Sequence, residues 1–236
     1  MTLDVQHLVK RQGPHFRLDI PALHVTSGET FGLVGNNGAG KTTLMRLMLD
    51  LTQADAGEIR LGGENVARSA DWKRHTGSFL DPSFLLDFLT PDEFFAFIGS
   101  TYGLSGREIE ARLEPYRSFF TDPIPGQRGK YIRDLSLGNT KKVGIVAAML
   151  VRPRFLILDE PFANLDPGSQ IRLKSLLRRL NEEHGTTLFI SSHDLLHVTE
   201  VCSRIAILEE GRIVRDLHTS GETLQELERY FEERIR

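Results

Sequence analysis

Cysteine is almost missing from this chain: Cys202 stands alone among 236 residues, which excludes an internal disulfide and makes a reducing compartment the expectation. Its thiol reads as a small buried apolar side chain. Long apolar runs are missing too. No stretch approaches the roughly 20 residues that cross a bilayer, and Met1-Thr-Leu-Asp-Val5 lacks the charged and apolar arrangement of an export signal, so a cytosolic chain is expected. Charge of one sign is not in excess either. The 29 Lys and Arg stand against 32 Asp and Glu, a formal charge of −3, which leaves no basic footprint for nucleic acid or an anionic membrane surface. Internal repeats and low-complexity linkers are absent. The 40% of hydrophobic residues suffices for one large α/β domain, or one domain with a small insertion, and argues against disorder.

Against that plain background one stretch stands out. Gly35-Asn36-Asn37-Gly38-Ala39-Gly40-Lys41-Thr42-Thr43 fits G-x-x-x-x-G-K-[ST], in which glycines let a tight loop turn its backbone N–H groups inward around an anion. Its setting fits as well. Thr30 to Val34 is a short apolar run suited to a buried strand, and Thr43 to Leu49 is helix-forming. A helix starting here aims its positive end at phosphates, Lys41 reaches the β and γ phosphates, Thr42 ligates Mg²⁺ and Thr43 adds an α-phosphate contact. A nucleotide triphosphate with Mg²⁺ is the expected ligand.

The remaining chain alternates strands and helices. Leu3 to Val9 and Phe16 to Ile20 alternate apolar and polar residues and read as two antiparallel strands, the second interrupted by Pro21. Gly57 to Leu61 reads as another strand. From about Thr90 to Phe120 the texture is helical, with a cap at Thr90-Pro-Asp-Glu93 and a capping box at Ser105 to Glu108. Phe84, Phe88, Phe94, Phe95, Phe97, Phe119 and Phe120 crowd this part, either as a small core or in part as a docking surface. A looser segment follows with Pro123, Pro125, Gly126 and Gly129. Ser136 then caps an apolar helix, Lys141 to Val151. Next come a buried strand Arg154 to Glu160 ending in two carboxylates, a helix from Pro167, a strand Thr186 to Ile190, a helix after Asp194, and strands 204–208 and 212–214. Near the end Leu224, Leu227, Phe231 and Ile235 share one helical face that is expected to pack on its own domain.

Phe155 to Glu160 resembles a Walker B strand: Asp159 at the carboxyl edge of a parallel sheet would hold Mg²⁺, and Glu160 can take a proton from attacking water. With Leu135-Ser-Leu-Gly-Asn139 upstream, Asn164-Leu-Asp166 downstream and Ser192-His193-Asp194 after the next strand, the chain resembles the nucleotide-binding subunit of an ATP-binding cassette (ABC) transporter. The likeness covers nearly the whole length. It implies an α/β P-loop NTPase fold with a RecA-like core and antiparallel β subdomain (about 1–80 and 152–236) and an inserted helical subdomain (about 84–151). It further implies a homodimer with two ATP molecules, each held between one copy's loop and the signature residues Ser136 and Gly138 of the other. Glu160, His193 and Lys41 are then the catalytic residues. The partner is a membrane permease on another chain, which would place this chain peripherally on the cytoplasmic face of the membrane. The texture is similar to ATPases of ABC-2 type exporters; the alternative is a soluble ABC ATPase that remodels a nucleic-acid or protein assembly.

Four positions depart from the family pattern: Gln12, Asp81, and Leu137 and Asn139 in the signature, the last two leaving the Ser136 hydroxyl and Gly138 in place. The aromatic that stacks on adenine falls at Gln12, leaving Gln12, His15 and Phe16 as candidates for the base. The family's Q-loop glutamine aligns with Asp81, which serves either as a Mg²⁺ ligand or as a turn residue before Pro82. GTP is disfavoured, because no Asn-Lys-x-Asp base-reading motif occurs.

Overall fold

The computed structural model describes residues 1–120 and 129–232. Pro123, Pro125, Gly126 and Ile235 lie outside them. Two sheets organise the chain. The first is antiparallel, in the order β2-β1-β4-β5, built from β1 (Leu3–Gln12), β2 (Phe16–Val25), β4 (Ala56–Leu61) and β5 (Glu64–Asn65). The second runs β10-β9-β3-β8-β7-β6, from β3 (Thr30–Val34), β6 (Thr76–Phe79), β7 (Phe155–Leu158), β8 (Thr187–Ser192), β9 (Arg204–Glu209) and β10 (Arg212–His218). All its pairings are parallel except β9 with β10.

Parallel strands need covering on both faces, and the side-chain alternation supplies the two faces. Phe31, Phe155, Ile157, Phe189 and Ala206 point one way, into a core shared with helix α1 (Lys41–Met48) and the antiparallel sheet. Leu156, Leu158, Leu188, Ile190 and Ile205 point the other way, toward α4 (Leu137–Leu150), α5 (Pro167–His184) and α6 (Leu195–Val201). Each fully buried Leu, Ile or Phe side chain contributes roughly 1.5–3 kcal/mol. Helix α1 is thus held between the two sheets, which fixes the loop that precedes it.

The helices α2 (Pro91–Thr101) and α3 (Gly106–Leu113) start at the expected capping boxes, Thr90 with Glu93 and Ser105 with Glu108. The phenylalanines divide by role: Phe94, Phe95, Phe119 and Phe120 are buried, whereas Phe84, Phe88 and Phe97 are exposed. Cys202 is buried, and burial pushes its thiol pKa up. In α7 (Thr223–Glu232), Leu227 is buried and Phe231 packs beside it on the domain's own core. No helix among the described residues is long and apolar enough to cross a membrane.

One expectation is corrected. Pro21 does not end its strand; β2 continues through it to Val25. As the outer strand of its sheet, β2 tolerates a residue that cannot donate a ladder bond. A strand that sequence reading passed over, β6, adds the edge beside β7; with four residues, it is too short to show a period.

Gly211, in the β9–β10 turn, joins three parts. Its carbonyl accepts from Asp19 of β2 at 2.7 Å and its N–H donates to Ala39 of the phosphate loop at 3.0 Å. Its φ is +78°, and a Cβ there would meet the Arg17 carbonyl oxygen at 2.0 Å. Gly211→Ala is therefore expected to destabilise the fold by about 2 kcal/mol or more, measured as a drop in the urea unfolding midpoint with an unchanged slope.

Candidate active site

Three neighbouring parallel strands, β3, β8 and β7, end at the same sheet edge. The residue just past each end is therefore delivered to one place, the usual position of ligand sites in such sheets. After β3 comes the loop Gly35 to Gly40, after β7 come Asp159 and Glu160, and after β8 comes His193. A cleft of about 220 Å³ opens there, lined by Gln12, Phe16, Asn36, Asn37, Gly38, Gly40, Lys41, Thr42, Thr43, Asp159 and Glu160.

Gly40 precedes α1 at φ +111°, and a Cβ on it would meet the Phe16 ring at 2.8 Å. Glycine is what lets Phe16 lie against the loop. No side chain caps α1, so the N–H groups and positive dipole end of its first turn are left for an anion. Lys41 is buried and donates to the Gly35 carbonyl at 2.6 Å. Its ammonium also lies 3.3 Å from Glu160 Oε1 as an ion pair, and that oxygen, itself buried, makes no hydrogen bond in return.

The carboxylates are held from several sides. Asp159 accepts from the Thr42 hydroxyl at 2.5 Å and from the Ser191 hydroxyl. The Ser191 oxygen in turn accepts the Glu160 N–H at 3.0 Å. Glu160 takes the left-handed backbone region, φ 48°, at a cost of about 1–2 kcal/mol for a residue with a side chain. Its Oε2 meets His193 Nδ1 at 2.8 Å and accepts the His193 N–H at 3.3 Å. Sequence reading missed Ser191; a hydroxyl at the end of an otherwise apolar strand was the available signal.

The remaining predicted residues lie elsewhere. Ser136 caps α4, its hydroxyl accepting from Asn139 N–H at 3.4 Å, and neither it nor Gly138 lines the cleft of its own copy. Asp81 is also outside the cleft lining. It accepts from Ser83 N–H at 2.8 Å at the head of the turn Pro82–Phe84, and its bonds to Ser83 hold its carboxyl below the usual carboxylate range. Of the base candidates, Gln12 accepts from the Thr43 hydroxyl at 3.3 Å and Phe16 faces the cleft, whereas His15 does not line it.

With this arrangement in place, likeness to known proteins is decisive. Residues 18–163 match the family described as "ABC transporter". The chain belongs to that family. It is 34% identical over 224 residues to the bacitracin transport ATP-binding protein BcrA of Enterococcus faecalis, covering 92% of this chain and 70% of that protein. It is 33% identical to the sulfate/thiosulfate import ATP-binding protein CysA of Bradyrhizobium diazoefficiens, over 90% of this chain and 62% of that one. A bacitracin transport component and a sulfate/thiosulfate import component are thus matched at similar identity. A solved ATP-binding subunit of an ABC transporter superposes with a TM-score of 0.83 at 27% identity, covering 98% of this chain and 93% of that chain. The ABC ATPase fold expected for the chain is the fold it has.

Asp166 of the segment Asn164-Leu-Asp166 caps α5 through Ser169, and it lies 3.6 Å from Lys142. Hydrogen bonds from the Ser169 side chain and backbone lower its pKa from 3.8 to about 2. A carboxyl depressed on folding stabilises above its unfolded value and loses that contribution as pH falls through its folded value. The stability gap between wild type and Asp166→Ala is expected to be full above pH 3.8 and to narrow as pH falls toward about 2, read by urea unfolding across that range.

Proposed function

We propose that this chain is the ATP-binding and ATP-hydrolysing subunit of a transporter, closing as a homodimer on ATP to drive a membrane permease encoded separately. The observation that carries this reading is the convergence of Lys41, Thr42, Asp159, Glu160 and His193 at one sheet edge. Lys41 neutralises the β and γ phosphates, and the Gly35 to Thr43 backbone and the α1 dipole receive the rest of the polyphosphate. Phe16 is the base platform, because it lies over the loop while Gln12 is engaged by Thr43.

Mg²⁺ suits the donors present. Thr42 and Asp159 offer hard oxygen ligands side by side, and among the described residues no group of three or more His, Cys, Asp or Glu could hold a metal. Two protein oxygens leave the other positions to phosphate and water, the usual Mg²⁺ arrangement. When bound, the ion neutralises charge on the transferring phosphoryl group. Asp81, tied to Ser83, is assigned to the turn that shapes this edge rather than to the ion.

Glu160 is the general base. Its Oε1 is paired with Lys41; an entering triphosphate competes for that ammonium and frees the carboxylate for water, while His193 holds its other oxygen. Ser136 and Gly138 sit outside the cleft because they serve the copy related by twofold symmetry, meeting its γ-phosphate with the N-terminus of α4. The segment of about 84–151 moves as a helical unit against about 1–80 and 152–236 as the dimer opens and closes. The permease docks on the groove of about 400 Å³ beside Phe79, Phe84, Leu85, Phe94 and Tyr102, which holds this subunit peripherally at the cytoplasmic face of the membrane. Phe84 and Tyr102 of this groove are exposed, as at a protein-docking surface, and the transport proteins among the relatives favour a permease as its occupant.

Glu160→Gln is expected to keep ATP affinity within about threefold and to lower kcat by roughly a hundredfold or more, accumulating an ATP-stabilised dimer on size exclusion; a monomer with ATP and Mg²⁺ sinks the composite site. Lys41→Ala is expected to weaken ATP binding by about tenfold or more, and unchanged affinity in calorimetry would refute its phosphate role. Phe84→Asp is expected to abolish copurification with the permease while leaving the isolated subunit's turnover within about twofold of wild type.

A further inference from the structure

Helix α4 carries two lysines through an otherwise apolar interior, and both are buried. An ammonium in such a place is costly unless its donors are satisfied and its charge is met. Lys142 is accounted for by Asp166 and by the Phe119 ring beneath it. Lys141 is different, because its partners belong to the candidate active site. Its Nζ donates to the Glu160 carbonyl at 2.6 Å and to the Ala163 carbonyl at 2.8 Å. These two residues close a tight turn, with Ala163 N–H donating back to the Glu160 carbonyl at 3.3 Å. Burial holds the Lys141 pKa below its ordinary value, and the carboxylates of Glu160, Asp159 and Asp81 partly offset this by favouring the charged form.

We infer that Lys141 is a positioning residue for hydrolysis: by pinning both ends of the Glu160–Ala163 turn it holds the Glu160 carboxylate against His193. The reason lies in the backbone of Glu160. Its left-handed φ of 48° is a strained conformation that persists only where surroundings over-determine it. Its N–H is held by Ser191 and its side chain by His193 and Lys41; its carbonyl is held by Lys141. Removing the charged partner leaves the carbonyl only the 3.3 Å bond from Ala163 N–H, which lets the peptide relax, and the carboxylate swings with it. Because Lys141 rides on the helix that Ser136 heads, displacement of that helix reaches the base of the same copy through one rigid element.

The inference rests on Glu160 being the base, so the experiment separates the two. Steady-state ATP hydrolysis by the full chain is measured for wild type, Lys141→Met, Glu160→Gln and the double variant. Lys141→Met is expected to lower kcat about tenfold or more with KM for ATP within roughly twofold, and to lower the residual rate of Glu160→Gln by less than about twofold. A lysine that only fills space would depress both backgrounds alike. Equal losses in the two backgrounds, or a Lys141→Met kcat within about twofold of wild type, overturn the inference. Should Lys141→Met yield no folded protein, Lys141→Leu, which likewise removes the donors to the Glu160 and Ala163 carbonyls, is carried through the same cycle under the same criteria. A Glu160→Gln variant with wild-type kcat removes the base assignment itself; a slow Glu160→Gln beside a fast Lys141→Met removes only the role of Lys141.

Discussion

The parallel pairing of β3, β8 and β7 is the constraint on which everything else in this molecule depends. Parallel strands need both faces covered, and here α1 with the antiparallel sheet covers one face and α4, α5 and α6 the other. Once the three strands are in register, their carboxyl ends are fixed to within two residues of one another, with Val34 opposite Ser192 and Leu158 opposite Ile190. The phosphate loop, the Asp159–Glu160 pair and His193 have nowhere else to go. The chemistry is assembled by hydrogen-bond register rather than by any local preference of its residues.

Charge is balanced around that edge by the protein's own groups. Lys41 leans on Glu160 and the Gly35 carbonyl, Thr42 and Ser191 share the oxygens of Asp159, and His193 holds Glu160 from outside. The arrangement is closed on itself, yet it is not at rest: one Glu160 oxygen is buried without a hydrogen bond and the Glu160 backbone is strained. Strain of this kind is where function is stored. A polyanion entering the cleft competes for the very contact, Lys41 with Glu160, that keeps the carboxylate occupied.

Much of this was legible in advance. Gly35 to Thr43 forms its loop because glycines and a following helix are local properties, and Thr90, Ser105 and Ser136 mark helix starts for the same reason. Pro21 misled, since its tolerance on an outer strand is set by where that strand sits in the sheet. Strand β6 escaped notice because four residues carry no readable period. The crowd of phenylalanines was countable, but their division into buried Phe94, Phe95, Phe119 and Phe120 and exposed Phe84, Phe88 and Phe97 depends on which helix face meets α4.

The sequence by itself determined that a phosphate loop precedes a helix, that an Asp-Glu pair ends a buried strand, and that a serine heads the signature helix, because each is written in consecutive residues. Tertiary structure alone decided that Phe16 rather than His15 lies over the loop, that Ser191 bridges the Asp159 carboxylate and the Glu160 N–H, and that Lys141 reaches across from α4 to the Glu160 turn. Each of these contacts joins separate strands, helices or loops, with residues 19 to 32 positions apart. Distance in space is created by strand order and helix packing, and no run of neighbouring residues encodes it.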